Sequence, residues 1–175
     1  MPLIAAETQR IGEDESLDLI QVLQKAKEQY NIEGLVNGGL ISRYQKARFE
    51  RACNQVGLGL ISPIWQTDPE TYMHSLLQSQ FHIIVVAVAA EGLTEEWLGR
   101  SLDKPMILRL KDLNHRLGVH IAFEGGEAET FVLDCPLFTQ QIKILNSTSH
   151  WHGDHGLLEI NDACLVAKSP LSQKS

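Results

Sequence analysis

The chain is short of positive charge, of cysteine and of long apolar runs, and each shortage removes a class of function. Fifteen Lys and Arg stand against 22 Asp and Glu, a formal charge of −7. A binder that tracks nucleic acid through its phosphates needs the opposite balance, so direct nucleic-acid binding is not expected. The three cysteines, Cys53, Cys135 and Cys164, are far apart and never in CxxC spacing. That pattern reads as small buried side chains in a reducing compartment rather than a disulfide framework or a zinc site. No apolar run approaches the roughly 20 residues that span a bilayer. The opening MPLIAAETQR has no basic region followed by a long apolar stretch, so it is not read as a secretory signal, and a cytoplasmic protein without a membrane partner is expected. No Ser–His–Asp or Cys–His arrangement has a supporting motif, which leaves nucleophilic catalysis without support.

What is present is ordinary globular composition, 43% hydrophobic and 21% charged over 175 residues, enough for one domain or two small ones with a real core. The first half alternates. PLIAAE is a strand candidate, GEDES places acids where a helix begins, and Leu17, Ile20, Leu23 and Ala26 recur at helical spacing. IEGLVNGG reads as a strand ending in glycines. SRYQKARFERACNQVG reads as a helix, with Ser42 and Gln45 as a capping box and Phe49, Ala52, Cys53 and Val56 as its inner stripe. LGLISPIW is a further strand. DPETYMHSLLQSQ is a helix with Asp68 as N-cap and Pro69 at its first position. FHIIVVAVAA is a near-continuous apolar run of strand length, the pattern of a parallel strand covered on both faces. Strand–helix alternation of this kind predicts an α/β fold with a parallel sheet.

After Gly92 the character changes. LTEEWLG and residues 104–117 read as helices. VHIAFE, TFVLDCPL, QIKILNSTSHW and GLLEINDACLVAK then read as antiparallel strands of an α+β domain. The tail SPLSQKS is expected to be disordered.

The stretch EGGEAE, residues 124–129, poses an electrostatic question, because three carboxylates flank a Gly–Gly pair. If Gly125–Gly126 is a two-residue hairpin loop, Glu124 and Glu127 become cross-strand neighbours and Glu129 shares their face. Clustered carboxylates raise one another's pKa unless a cation compensates. A solvated turn and a cation-binding face both remain open on the residues alone.

In GGLISRYQKAR the capping box accounts for Ser42 and Gln45, and the glycines suit a turn. The segment also lies at the carboxyl end of a strand entering a helix, where open α/β sheets bind ligands, and Arg43 and Arg48 suit phosphate or carboxylate oxygens. Trp65 and Trp97 lie near element ends; packing is the commoner fate of such a residue, and contact with a quaternary ammonium is the alternative. His74 and His115 read as surface helix residues, and His82 and His120 as strand starts. HWHGDH at 150–155 matches the HxHxDH pattern of metallo-β-lactamase-like hydrolases, which hold two metal ions. Such a site needs further downstream His and Asp ligands, and no histidine follows. A polar turn between two terminal strands explains the same residues.

Five stretches together, GLVNGGLISRYQKARFE, ISPIWQTDPETYMHSLL, VAAEGLTEEWLGRSLD, EGGEAETFVLDCPLF and WHGDHGLLEINDACL, resemble the diphthine–ammonia ligases (diphthamide synthases) of the PP-loop ATP-pyrophosphatase superfamily. The set keeps the family's order and covers nearly the whole chain. The resemblance implies an α/β architecture: an incomplete parallel-sheet nucleotide-binding domain of PP-loop or HUP-like type over residues 1–92, then a small α+β substrate-recognition domain with antiparallel strands over 93–168, and a tail over 169–175. It implies an enzyme that uses ATP to activate the carboxylate of diphthine, a modified histidine on a translation elongation factor, with ammonia displacing AMP to give diphthamide.

On that resemblance Glu124, Glu127 and Glu129 are the candidate catalytic residues, binding or orienting diphthine, ammonia or a magnesium ion. Gly125 and Gly126, with Gly38, Gly39, Ser42, Tyr44, Gln45 and Arg48, are expected to face substrate or nucleotide. No residue is assigned as a ligand of a resident metal. Two positions depart from the family: Phe123 stands where a small glycine is usual and Ala128 where an aromatic is usual. The family also opens with an SGGKDS-type loop that cradles phosphates, whereas MPLIAAET resembles its third strand. The expectation is therefore a truncated product, a half completed by another polypeptide carrying that loop, or a homo-oligomer. A non-catalytic binding or regulatory protein derived from the family is the alternative, and a metal-dependent hydrolase using HWHGDH the weaker one.

Overall fold

A computed structural model describes residues 2–7 and 15–168. The acids of GEDES ahead of Glu15 and the tail 169–175 lie outside the described residues. Two compact units emerge, Met1–Thr67 and Asp68–Ser175. The break falls ahead of Gly92, where the sequence changes character.

In the first unit, helix α1 (Glu15–Tyr30) leads into strand β1 (Gly34–Val36), helix α2 (Arg43–Val56) and strand β2 (Gly59–Ile61). The strands pair in parallel, with Leu35 opposite Leu60. One face of the pair carries Leu35 and Leu60 into a core with Leu23 of α1 and Ala52, Cys53 and Val56 of α2. Burial of Cys53 pushes its thiol pKa up, as for an inert core residue. Helix α2 is capped as its sequence requires: Ser42 accepts from the Gln45 amide at 3.3 Å, and Gly57 closes it at φ 69°. Two expectations need correction. Residues 2–7 form no strand, the apolar run being too short to identify a partner. Leu17 is solvent-exposed at 42%, so the inner stripe of α1 runs through Leu19, Ile20 and Leu23 instead.

In the second unit, helix α3 (Pro69–Gln78), strand β3 (His82–Val88), helix α4 (Lys104–Leu117) and strands β4 (Ala128–Asp134), β5 (Gln140–Trp151) and β6 (Gly156–Ala167) follow in order. The sheet is antiparallel throughout, in the order β4-β3-β6-β5. Strand β3, expected in a parallel sheet, lies here instead. Its apolar run does report burial on both faces. Ile83, Val85 and Val88 face a core with Met106, Ile107 and Leu110 of α4, and Ile84 packs on the other side with Leu133 and Leu158. Two-sided burial says nothing about strand direction, and that is where the parallel reading failed. LTEEWLG holds only a 3-10 turn, Glu95–Trp97. The following segment completes the free edge of β3, the Val85 amide donating to Arg100 and the Leu102 amide to Ile83. VHIAFE, expected as a strand, is an irregular loop between α4 and β4.

Candidate functional site

The loop from Gly118 to Glu127 begins where α4 stops. Gly118 takes φ 75° and its amide donates to Asn114, whose side-chain Nδ2 in turn donates to the Val119 carbonyl at 2.9 Å. Beyond Val119 no strand ladder is available, so backbone amides must find other acceptors. Two side chains supply them. Glu127 accepts from the His120 amide through Oε1 at 2.8 Å and from the Gly125 amide through Oε2 at 2.8 Å. The His120 ring accepts at Nδ1 from the amides of Ala122 at 3.2 Å and Glu124 at 3.3 Å.

This geometry replaces the expected two-residue hairpin. Glu124 and Glu127 are not cross-strand neighbours, because the residues before Gly125 are not in a strand. The two glycines serve different ends. A Cβ on Gly125 would lie 2.6 Å from Oε1 of Glu127, so only glycine lets that carboxylate fold back over the loop. Gly126 is needed for its φ of 83°. Phe123 also adopts positive φ, 58°, which gives a backbone reason for glycine being usual there and marks a strained residue in this chain.

Glu124 and Glu129 do come together, on a cavity of about 320 Å³. Tyr72 of α3, Phe81, Phe123 and Met106 of α4 contribute to its walls, which are otherwise largely apolar. Glu124 is half-buried and Glu129, opposite Ala87 in the ladder, is exposed. The Tyr72 phenol is pushed above its ordinary pKa, first by burial and then by the Glu124 carboxylate, so it stays protonated at neutral pH. Ala128 is buried against the same cavity, and its small side chain leaves room there. A space lined by aromatic and aliphatic side chains together with two carboxylates suits a quaternary ammonium group, whose charge is spread over methyl surfaces. Among the described residues no group of three or more His, Cys, Asp and Glu could hold a metal ion.

In the first unit, β1 ends at Val36 and Asn37 continues the ladder, its amide donating to the Ile61 carbonyl at 2.9 Å. Extending the register by one places Asn37 beside Ser62, at the carboxyl ends of both parallel strands. Asn37 is 8% exposed. Its Oδ1 accepts from the Gly39 amide at 3.1 Å, while Asn37 Nδ2 and Ser62 Oγ are buried with no hydrogen-bond partner among the described residues. Gly38 has open space where a Cβ would stand. Tyr44 is 64% exposed, with the Arg48 guanidinium 5.6 Å from its ring centre. Ser42 and the Gln45 amide form the helix cap already described.

The tryptophans divide. Trp97 is fully buried in the second core with the Arg109 guanidinium 4.7 Å from its ring centre, and Arg109 is paired with Glu96. Trp65 is half-buried, with Lys46 Nζ 4.7 Å from its ring centre. HWHGDH covers the last two residues of β5 and the β5–β6 turn, which is closed by the His152 amide on the His155 carbonyl at 2.9 Å. His150 pairs across the strands with Glu159, His155 pairs with Asp154, and the His152 ring stacks on that of His155 with centroids 5.0 Å apart. Among the described residues these groups form no set of three that could hold a metal ion, as the hydrolase reading requires. His120, expected at a strand start, lies in the irregular loop instead. A histidine at the mouth of a glycine-rich irregular loop was its only signal.

Residues 68–166 match the family model described as Diphthamide synthase C-terminal domain, and residues 1–60 the one described as Diphthamide synthase N-terminal domain. A diphthine–ammonia ligase of Danio rerio is 39% identical over 142 residues, 81% of this chain and 55% of that protein. One of Homo sapiens is 38% identical over 135 residues, covering 77% and 50%. One of Schizosaccharomyces pombe is 36% identical over 168 residues, covering 93% and 27%. The chain thus spans about half the length of the vertebrate relatives it matches.

Proposed function

The chain belongs to the diphthamide synthase family, and on that premise we propose that it serves the ATP-dependent amidation of diphthine on a translation elongation factor, its second unit receiving the trimethylammonium group of the substrate. The observation that carries this reading is the cavity walled by Tyr72, Phe81 and Phe123 with Glu124 and Glu129 on it. Aromatic faces attract a quaternary ammonium by about 0.5–2 kcal/mol each, more as water is excluded. Two carboxylates supply the opposite charge, and the protonated Tyr72 hydroxyl adds none. Glu127, whose two oxygens each accept one backbone amide, is assigned the support of the loop in this proposal.

The segment Gly38–Arg48 faces the nucleotide in this proposal. Its support is the unpartnered, buried Asn37 Nδ2 and Ser62 Oγ at the carboxyl ends of parallel strands, where a ligand in such a fold meets the sheet. The open space over Gly38 allows close approach of a ligand to the backbone. ATP supplies the activation of the diphthine carboxylate, and ammonia displaces AMP. In diphthine the trimethylammonium group and the reacting carboxylate share a carbon, so holding the cation orients that carboxylate for attack.

The test is an amidation assay with diphthine-bearing elongation factor, ATP and ammonium, run with and without a polypeptide carrying an SGGKDS-type loop. AMP formation that depends on diphthine and falls with Glu124→Gln is the expected result. Absence of AMP in every combination removes the enzymatic reading. Retention of trimethylammonium binding in that case identifies a binding protein instead.

A further inference from the structure

We propose that His120 and Glu127 are positioning residues whose side chains pin the two peptide N–H groups bracketing Glu124, and so hold that carboxylate at the cavity. The inference rests on the cation-site reading for its purpose, although the pinning can be measured without a ligand.

The geometry is specific. The N–H of Glu124 itself donates to Nδ1 of His120 at 3.3 Å, and the next N–H along, that of Gly125, donates to Oε2 of Glu127 at 2.8 Å. Peptide planes on both sides of the Glu124 Cα are thereby fixed, and with them the direction in which its side chain leaves the backbone. The two pinning residues are themselves coupled, because Oε1 of Glu127 accepts from the His120 amide at 2.8 Å. A second amide on the same imidazole nitrogen, from Ala122 at 3.2 Å, requires that Nδ1 be unprotonated. Four amides of an irregular loop therefore end on two side chains. On the exit side the loop is anchored to the sheet, the Glu127 carbonyl accepting from the Ala89 amide at 2.8 Å, just beyond β3. Glu124 thus reaches the cavity from a segment with no strand ladder of its own, and the pair of side chains replaces the ladder.

Tyr72 reports where the Glu124 carboxylate is. Burial and the Glu124 charge are the causes that raise its phenol pKa. A negative charge opposes phenolate formation, so removing or displacing that charge lowers the midpoint. The experiment follows the Tyr72 titration by NMR of tyrosine-labelled full-length chain in wild type, Glu124→Gln, His120→Ala, His120→Asn and Glu127→Gln, and in each of the last three combined with Glu124→Gln. His120→Ala and Glu127→Gln are expected to lower the Tyr72 midpoint in the same direction as Glu124→Gln, and to lower it no further once Glu124 is already Gln. His120→Asn, whose Oδ1 keeps an acceptor near the Nδ1 position, is expected to restore the wild-type midpoint. In parallel, hydrogen exchange at the Glu124 and Gly125 amides is expected to accelerate about tenfold or more in His120→Ala and Glu127→Gln respectively, with α4 unchanged.

The proposal is overturned if His120→Ala and Glu127→Gln leave the Tyr72 midpoint at the wild-type value. It is also overturned if they shift it equally in the Glu124→Gln background, since that outcome reports loosened packing rather than a displaced charge. Should His120→Ala fail to fold, Glu127→Gln, alone and combined with Glu124→Gln, carries the same comparison. Titration with tetramethylammonium separates the two readings. No binding by wild type removes the cation site, and the titration of Tyr72 still decides the pinning.

Discussion

Replacing Gly125 by alanine isolates the contact on which the loop depends. The added Cβ would lie 2.6 Å from Oε1, 2.9 Å from Cδ and 3.1 Å from Oε2 of Glu127, so the carboxylate must leave. Two hydrogen bonds to a charged acceptor are then lost, those from the His120 and Gly125 amides. Each is worth about 1.5–3 kcal/mol when intact. The Gly125 bond is exposed, and the released carboxylate regains water, so the net cost is expected near 2–3 kcal/mol. For a unit of this size that lowers the melting temperature by roughly 10 °C. In a Glu127→Ala background the obstructing carboxylate is gone. Gly125 does not have a positive φ, so the same Gly125→Ala change is then expected to be neutral or to stabilise by about 0.5 kcal/mol through the unfolded chain. The assay is thermal unfolding by near-ultraviolet circular dichroism in a Trp65→Phe background, leaving Trp97 and Trp151 of the second unit as the tryptophan reporters. Equal destabilisation by Gly125→Ala with and without Glu127 would refute the fold-back of that side chain as the reason for glycine.

Other perturbations probe the same site and its supports. Glu124→Gln and Glu129→Gln are each expected to weaken tetramethylammonium binding about fivefold, read by NMR titration, on the order of 1 kcal/mol per carboxylate; an unchanged affinity in both would remove them from the cavity's chemistry. Phe123→Gly relieves a positive-φ strain of roughly 1 kcal/mol and gives up half-buried aromatic packing of similar size. Chemical denaturation should therefore show a change within about 1 kcal/mol, while cation binding falls because a wall of the cavity is lost. Asp68 caps α3 by accepting from the Thr71 amide at 2.8 Å and hydroxyl at 2.9 Å, and those bonds hold its carboxyl pKa below the ordinary value. Its contribution is fully present above the unfolded-state pKa and is lost as pH falls through the folded one. The acid limb of a stability–pH profile should accordingly flatten in Asp68→Asn, which keeps the acceptor without the titration.

Much of the chain was legible because its local signals agree with its packing. Residues 104–117 form a helix as read, bounded by Asp103, which accepts from the Met106 amide at 2.7 Å, and by left-handed Gly118. The caps at Ser42 and Asp68 and the long strands β5 and β6 also lie where composition put them. Failures fall where a local pattern admits more than one tertiary setting. An apolar run cannot distinguish a parallel strand from an antiparallel one with both faces covered, and β3 is the latter. VHIAFE alternates like a strand, yet its amides turn to the side chains of His120 and Glu127, partners that spacing alone does not identify. Ser42, by contrast, was assigned a cap from sequence and has one, which leaves its nucleotide-facing role to the proposal above.

The electrostatic puzzle of EGGEAE therefore has an answer that periodicity concealed. Three carboxylates in six residues invite the idea of one shared cation. The backbone distributes them otherwise. Glu127 is turned back on the loop, its two oxygens accepting the His120 and Gly125 amides. Glu129 sits on a strand, and Glu124 on a loop whose conformation Glu127 helps to set. Glu127 thus braces the loop, while Glu124 and Glu129 line the cavity. Two carboxylates equal a divalent ion in charge, but the aromatic walls supply none of the further oxygens such an ion requires, and their faces suit a quaternary ammonium group instead.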